Sequence, residues 1–190
     1  MNNKILLVML LSMATVCASA QKLSGSLTPL KGQKKVNIVL DFSGTLVNGK
    51  SEEKYIAEET KGKSQKEKEE WLADWNEKLR TQAYDKLVND LNKATSFSVG
   101  KYEDAQYTIY VKVIDINTGF FAGVVAKASN IKSEVRFVKT GETSPFATVT
   151  FKKSCSPISA NVPYYVTRIV MSFGSLGDDI GKAIKKQLKK

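Results

Sequence analysis

Residues Tyr107 to Ile116 read YTIYVKVIDI, and the reading of this stretch decides the fold. Tyr107, Ile109, Val111 and Val113 fall on one side of an extended chain, with Thr108, Tyr110 and Lys112 on the other. Period-2 alternation among β-branched and aromatic residues predicts a strand with one apolar face. We take it as the central strand against which the rest of the chain packs.

Working outward, Val36 to Phe42 (VNIVLDF) puts Val36, Ile38, Leu40 and Phe42 on one face and predicts a first strand. Val125 to Val138 is predicted to be extended, with Ile131, Val135 and Phe137 opposite Lys132, Glu134 and Arg136. Phe146 to Lys152 is predicted as a fourth strand. Asn117 to Gly123 (NTGFFAG) and Lys139 to Thr143 (KTGET) separate these strands as turns. Residues 21–35, rich in Gly, Ser, Pro and Lys, suit a tail or a segment hugging a sheet edge. Residues 43–63 are expected to form a long loop with a short helix near Glu52 to Glu59.

Two helices complete the pattern. Ser64 and Glu67 form a capping-box signature, followed by Trp71, Trp75, Leu79, Ala83, Leu87 and Leu91 at helical spacing through to Ala94. From Tyr164 onward Val166, Ile169, Val170, Leu176, Ile180, Ile184 and Leu188 form a second apolar stripe, with Gly174 and Gly177 as candidate breaks. The order strand, helix, three strands, helix predicts an α+β fold. It would hold about four strands, mostly antiparallel, with two main helices packed on one face.

The segments LSGSLTPLKGQKKVNIVLDFSG, AQYTIYVKVIDI and GDDIGKAIKKQLKK, with the Trp-bearing helix, resemble small exported proteins of unknown function from Gram-negative bacteria. More distantly, the element order is similar to the α/β domains of the curli-secretion and penicillin-binding-protein-activator lipoproteins, and to the N-terminal domain of the Tol-system propeller protein. The second resemblance is one of topology. It implies an assembly or docking role in the envelope and supplies no catalytic residues.

The start of the chain is read as an export signal covering residues 1–20. Lys4 precedes the apolar run Ile5 to Val16, and Ala18-Ser19-Ala20 offers small residues for cleavage. Val16, rather than a small residue, precedes Cys17, which argues against lipid attachment. The run is also shorter than the roughly 20 residues that a membrane-spanning helix needs. Residues 21–190 are then one domain, expected to be soluble in the periplasm or outside the cell. Losing Lys4 leaves 28 basic and 19 acidic residues, a net charge of +9. The excess lies late in the chain: residues 21–104 carry +1 and residues 105–190 carry +8. For an exported chain, such a balance points to an envelope protein or an anionic envelope component as partner, rather than to nucleic acid.

The chain has no histidine. That excludes Ser-His-Asp and Cys-His catalysis and every histidine-ligated metal site. One enzymatic motif stands out. Leu40-Asp41-Phe42-Ser43-Gly44-Thr45-Leu46 is similar to the first motif of haloacid-dehalogenase-type phosphatases, and Asp178-Asp179 to the metal-binding acidic pair of that family. On that resemblance Asp41 would attack phosphorus, and the three carboxylates would hold Mg²⁺. Ser43, however, stands where the family has its general-acid Asp. The expected protein is therefore a binding or docking module rather than an enzyme, with no cofactor or metal, and the phosphatase is the alternative.

Two surfaces are candidates for binding. One is the sheet face opposite the helices, which would carry Lys112, Lys132, Arg136 and Lys152; it is either a docking face for an anionic partner or an ordinary solvated sheet face. The other is the turn bearing Phe120 and Phe121 between Gly119 and Gly123, which is either an exposed contact or a tip covered by a helix end or the N-terminal tail.

Overall fold

The computed structural model describes residues 21–189. The signal assigned to residues 1–20 lies outside them. The strands are β1 (Gln21–Gly25), β2 (Lys35–Asp41), β3 (Leu46–Val47), β4 (Lys50–Ser51), β5 (Ser98–Gly100), β6 (Tyr107–Asn117), β7 (Phe120–Ala122), β8 (Val125–Lys127), β9 (Asn130–Lys139) and β10 (Pro145–Ser154). The helices are α1 (Glu52–Glu59), α2 (Gln65–Ala73), α3 (Leu79–Ala94) and α4 (Tyr165–Leu188).

The predicted central strand is central. Among the described residues the main sheet has eight strands, in the order β1-β10-β9-β6-β2-β5, with β3 on β6 and β4 on β3. The α+β class holds, but the sheet is larger than the four strands expected. The predicted tail forms an edge strand, pairing Leu23 with Val149. The long loop after β2 contains a small hairpin, β3–β4, turned by Asn48 (φ 52°) and Gly49 (φ 75°). Both residues take the left-handed conformation that a two-residue hairpin requires, and Asn-Gly accommodates it best.

The sheet is also mixed, its four antiparallel ladders joined by three parallel ones. β6, β9, β10 and β1 pair antiparallel, whereas β2 runs parallel to both β5 and β6. The cause is the long helical segment between β2 and β5. It carries the chain back to the end at which β2 began, so the next strand must run in the same direction. Local alternation marks these residues as strands but says nothing of their neighbours.

One side of the sheet meets the helices. Ile109, Val111, Val135, Phe137, Val149 and Phe151 join Leu79, Leu87, Leu91, Phe173, Leu176 and Ile180 in a single buried cluster. Ser64 and Glu67 form the predicted capping box. α2 runs into α3 through one π-helical turn, Asp74–Lys78, in which Leu79 N–H reaches Asp74 O. The indoles of Trp71 and Trp75 stack there, 5.5 Å apart and inclined by 8°. Trp75 is 1% exposed, and its Nε1 donates to Glu52 Oε1 at 2.6 Å. This pair is packing, as most apolar stripes are.

α4 is unbroken. Gly174 and Gly177 do not interrupt it; they lie, with Gly181, where it crosses α3. A methyl group on Gly177 would run into Leu87 O and come within 3.0 Å of Leu91 N, and one on Gly181 would collide with Ala94 Cβ. These glycines let two backbones approach and are not helix breakers.

Candidate functional site

The sequence-predicted turn at residues 117–123 is the first leg of an arm. After β6 ends at Asn117, the chain forms a separate two-stranded hairpin, β7–β8, before re-entering the sheet as β9. Phe120 pairs with Lys127, Phe121 with Ala126 and Ala122 with Val125. The predicted strand from Val125 to Val138 is thus split by residues 128–129. Gly119 (φ 61°) makes the split possible. A Cβ there would collide with Lys127 O, so only glycine lets the two legs come this close.

The root of the arm is buried and firmly held. Thr118 is 7% exposed and Ser129 is fully buried. Asn48 grips Thr118 twice: its Oδ1 accepts Thr118 N–H at 3.1 Å, and its Nδ2 donates to Thr118 Oγ1 at 3.1 Å. Ser172 on α4 donates to Ser129 O at 2.9 Å. Between them lies Arg168, 5% exposed. Its Nε donates to Thr118 O at 2.9 Å, and its Nη1 donates to Val162 O at 2.6 Å and Pro163 O at 3.0 Å. Among the described residues no carboxylate lies within ion-pair distance of it. Burial lowers the Arg168 pKa, against the influence of the nearby Tyr55 phenol. Burial and the Glu59 carboxylate push Tyr55 up to about 12, against a hydrogen bond to Thr118 and the charge of Arg168. A buried guanidinium satisfied by three carbonyls ties the arm root to the loop before α4.

That loop contains a 3₁₀ turn, Pro157–Asn161, which packs against both β7 and β8. The arm and this turn hold most of the large apolar side chains that the described surface leaves exposed. Phe120 is 45% exposed, Phe121 37%, Val124 101%, Val125 56% and Ile158 69%. Their grouping, rather than their individual exposure, marks a contact surface.

The predicted basic residues divide into two groups. Lys132 and Lys152 are exposed at the arm end of the sheet, where Phe151 pairs with Ser133 and Ser154 with Ile131. Lys127 on β8 and Lys153 on β10 belong to the same end of the molecule. Neither Asp nor Glu occurs from 116 to 133 or from 143 to 177. Lys112 and Arg136 lie farther along the sheet and are engaged there. Lys112 Nζ bonds Asp41 Oδ2 at 2.9 Å and Ser43 Oγ at 2.6 Å. The Arg136 guanidinium lies 4.8 Å from the Tyr110 ring centre and 3.8 Å from Glu134 Oε1. The structure therefore brings Phe120, Phe121, Lys132 and Lys152 to one end and leaves Lys112 and Arg136 in local pairs. Val124, Ile158 and Arg168 were not singled out from sequence. Gly123-Val124-Val125 following two phenylalanines was the available signal for the first.

Asp41 stands at the carboxyl end of β2. Its Oδ2 accepts from Tyr110 Oη at 3.0 Å as well as from Lys112, and its Oδ1 accepts Ser43 N–H at 2.8 Å. Partial burial opposes ionisation, but these hydrogen bonds outweigh it and hold the carboxyl well below the usual carboxylate range. Asp179 instead accepts from Ser154 Oγ at 2.7 Å, and Asp178 faces Lys93. The three carboxylates of the phosphatase reading have separate partners, and the described residues contain no cluster of three or more acidic or cysteine side chains placed to hold a metal.

No described helix is long and apolar enough to cross a membrane. No protein-family model and no curated protein matches the chain. Among solved structures it is loosely similar to the PelC dodecamer from Paraburkholderia phytofirmans, at 7% identity and a TM-score of 0.43, covering 86% of this chain and 98% of that one. It is similar also to a point variant of that dodecamer, at 10% identity and a TM-score of 0.37, covering 84% and 98%. Both likenesses concern the course of the chain alone, and no function is transferred from them.

Proposed function

We propose that this protein is a non-enzymatic docking module of the bacterial cell envelope, exported by its N-terminal signal, and that the arm is its contact surface. The observation that carries the reading is the apolar group Phe120, Phe121, Val124 and Val125, displayed on a hairpin whose root is clamped by Arg168 and Asn48, with Ile158 on the 3₁₀ turn packed against it. Water-exposed apolar side chains add little to folding stability, so a rigid mount for them suits an external partner. The lysines at this end of the molecule favour an anionic or acidic one.

The test is a photocrosslinking residue at Val124, with a second at exposed Glu142 on the β9–β10 turn as control. Crosslinks to an envelope component from position 124 alone are the expected result. Equal or absent crosslinking from both positions in the native envelope would remove the proposal.

Asp41 belongs in this reading to a structural network with Lys112, Ser43 and Tyr110. Addition of Mg²⁺ is expected to produce no turnover of p-nitrophenyl phosphate above background. Mg²⁺-dependent turnover abolished by Asp41→Asn would establish the phosphatase instead.

A further inference from the structure

The tip of the arm, Gly119 to Ala126, carries no charge and folds as a two-stranded hairpin. Behind it stand four lysines: Lys127 on β8, Lys132 on β9, and Lys152 and Lys153 on β10. Two carboxylates lie beside this group: Asp115, opposite Lys132, whose Oδ1 accepts the Gly49 N–H at 3.2 Å, and Glu134, two residues along β9, which lies 3.8 Å from Arg136 Nε. Asp179 is hydrogen bonded to Ser154 beside Lys153. An apolar tip with lysines at the same end of the molecule suits an anionic lipid surface, with hydrocarbon inside and phosphate outside.

We infer that the arm end docks on an anionic lipid bilayer. Phe120, Phe121, Val124, Val125 and Ile158 enter the boundary between headgroups and acyl chains, while Lys127, Lys132, Lys152 and Lys153 contact the lipid phosphates. Two observations favour lipid over a folded protein as the occupant. Four of the five exposed apolar side chains sit on a hairpin of two three-residue strands, whereas a stable protein interface buries about 800 Å² on each partner. A fluid surface demands no shape match to a fully exposed Val124.

The inference rests on the docking role proposed above, and its test separates the two. The chain without its leader is mixed with vesicles of phosphatidylglycerol and phosphatidylethanolamine, or of phosphatidylcholine alone, and bound protein is measured by sedimentation. Binding to the anionic vesicles that weakens with added salt is expected. The double change Phe120→Ser and Phe121→Ser should reduce it about tenfold or more at every salt concentration. Replacing the four lysines by Gln should remove the salt-dependent part. Both variants should keep the wild-type thermal midpoint, which confirms that the fold is intact. No binding to anionic vesicles, or equal binding by the wild type and both variants, overturns the inference. If vesicles fail but crosslinking at Val124 captures an envelope protein, the docking role stands and its partner is that protein. If both fail, the docking role falls too.

Discussion

Arg168 shows how one side chain can organise a distant feature. It lies on α4, outside the arm, yet its guanidinium joins Thr118 to Val162 and Pro163. Arg168→Met keeps the aliphatic stem but leaves those carbonyls without their donor. We expect a loss of about 2–3 kcal/mol in denaturant unfolding, and faster amide exchange confined to residues 118–129. Asp41 gives a pH signature. Its folded pKa is depressed, so its contribution to stability is complete above the ordinary value of 3.8 and is lost as pH falls through the lowered value. Stability should therefore drop more steeply with acid in the wild type than in Asp41→Asn below about pH 4, read as unfolding midpoints at matched ionic strength. Several other carboxylates are also lowered, including Asp90 and Asp104, so the diagnostic quantity is the difference between the two proteins.

At the scale of elements, the crossing of α3 and α4 sets the tolerance of the core. Ala is favoured over Gly within a helix by about 1 kcal/mol. Gly177→Ala should nonetheless destabilise by about 1–3 kcal/mol, because the added methyl meets the Leu87 carbonyl rather than a movable side chain. A gain in thermal midpoint would show that the two helices can separate without loss. The same crossing shows what sequence could reveal. The stripe from Val166 to Leu188 identified the helix, and the alternation of YTIYVKVIDI identified β6. Whether a glycine breaks a helix or allows a neighbour to approach depends on a partner almost a hundred residues away. Asn48-Gly49, by contrast, is a local hairpin signal of the strongest kind, although the polar run from Ser43 to Lys63 reads as a loop and hides β3–β4.

At the scale of the molecule, the sheet and the arm are separate investments. The arm side chains lie outside the buried cluster. Replacing Val124 and Val125 by Thr should change the unfolding free energy by no more than about 0.5 kcal/mol, while any contact made by the tip weakens. A larger change would mean that the arm supports the fold. Phe120 and Phe121 drew attention in the sequence because adjacent aromatics between glycines are poorly suited to face inward together on a tight turn, and both are exposed. The division of the basic residues was not. Alternation places Lys112, Lys132, Arg136 and Lys152 on one face, but the strand register decides which of them meet Asp41, Tyr110 or Glu134. The parallel pairing of β2 escaped for the same reason, since its partners follow a long helical excursion.

The edge strand β1 has a temporal consequence. Gln21 pairs with Phe151, so the earliest-synthesised strand of the described chain must wait for one of the last before its hydrogen bonds can close. The hairpins linking β6, β9 and β10 can assemble from near neighbours, whereas β1 joins across most of the chain length. Such wide loop closure slows the approach to the native state. Refolding should accordingly show amide protection at Leu23 arriving after that at Val111 and Val135.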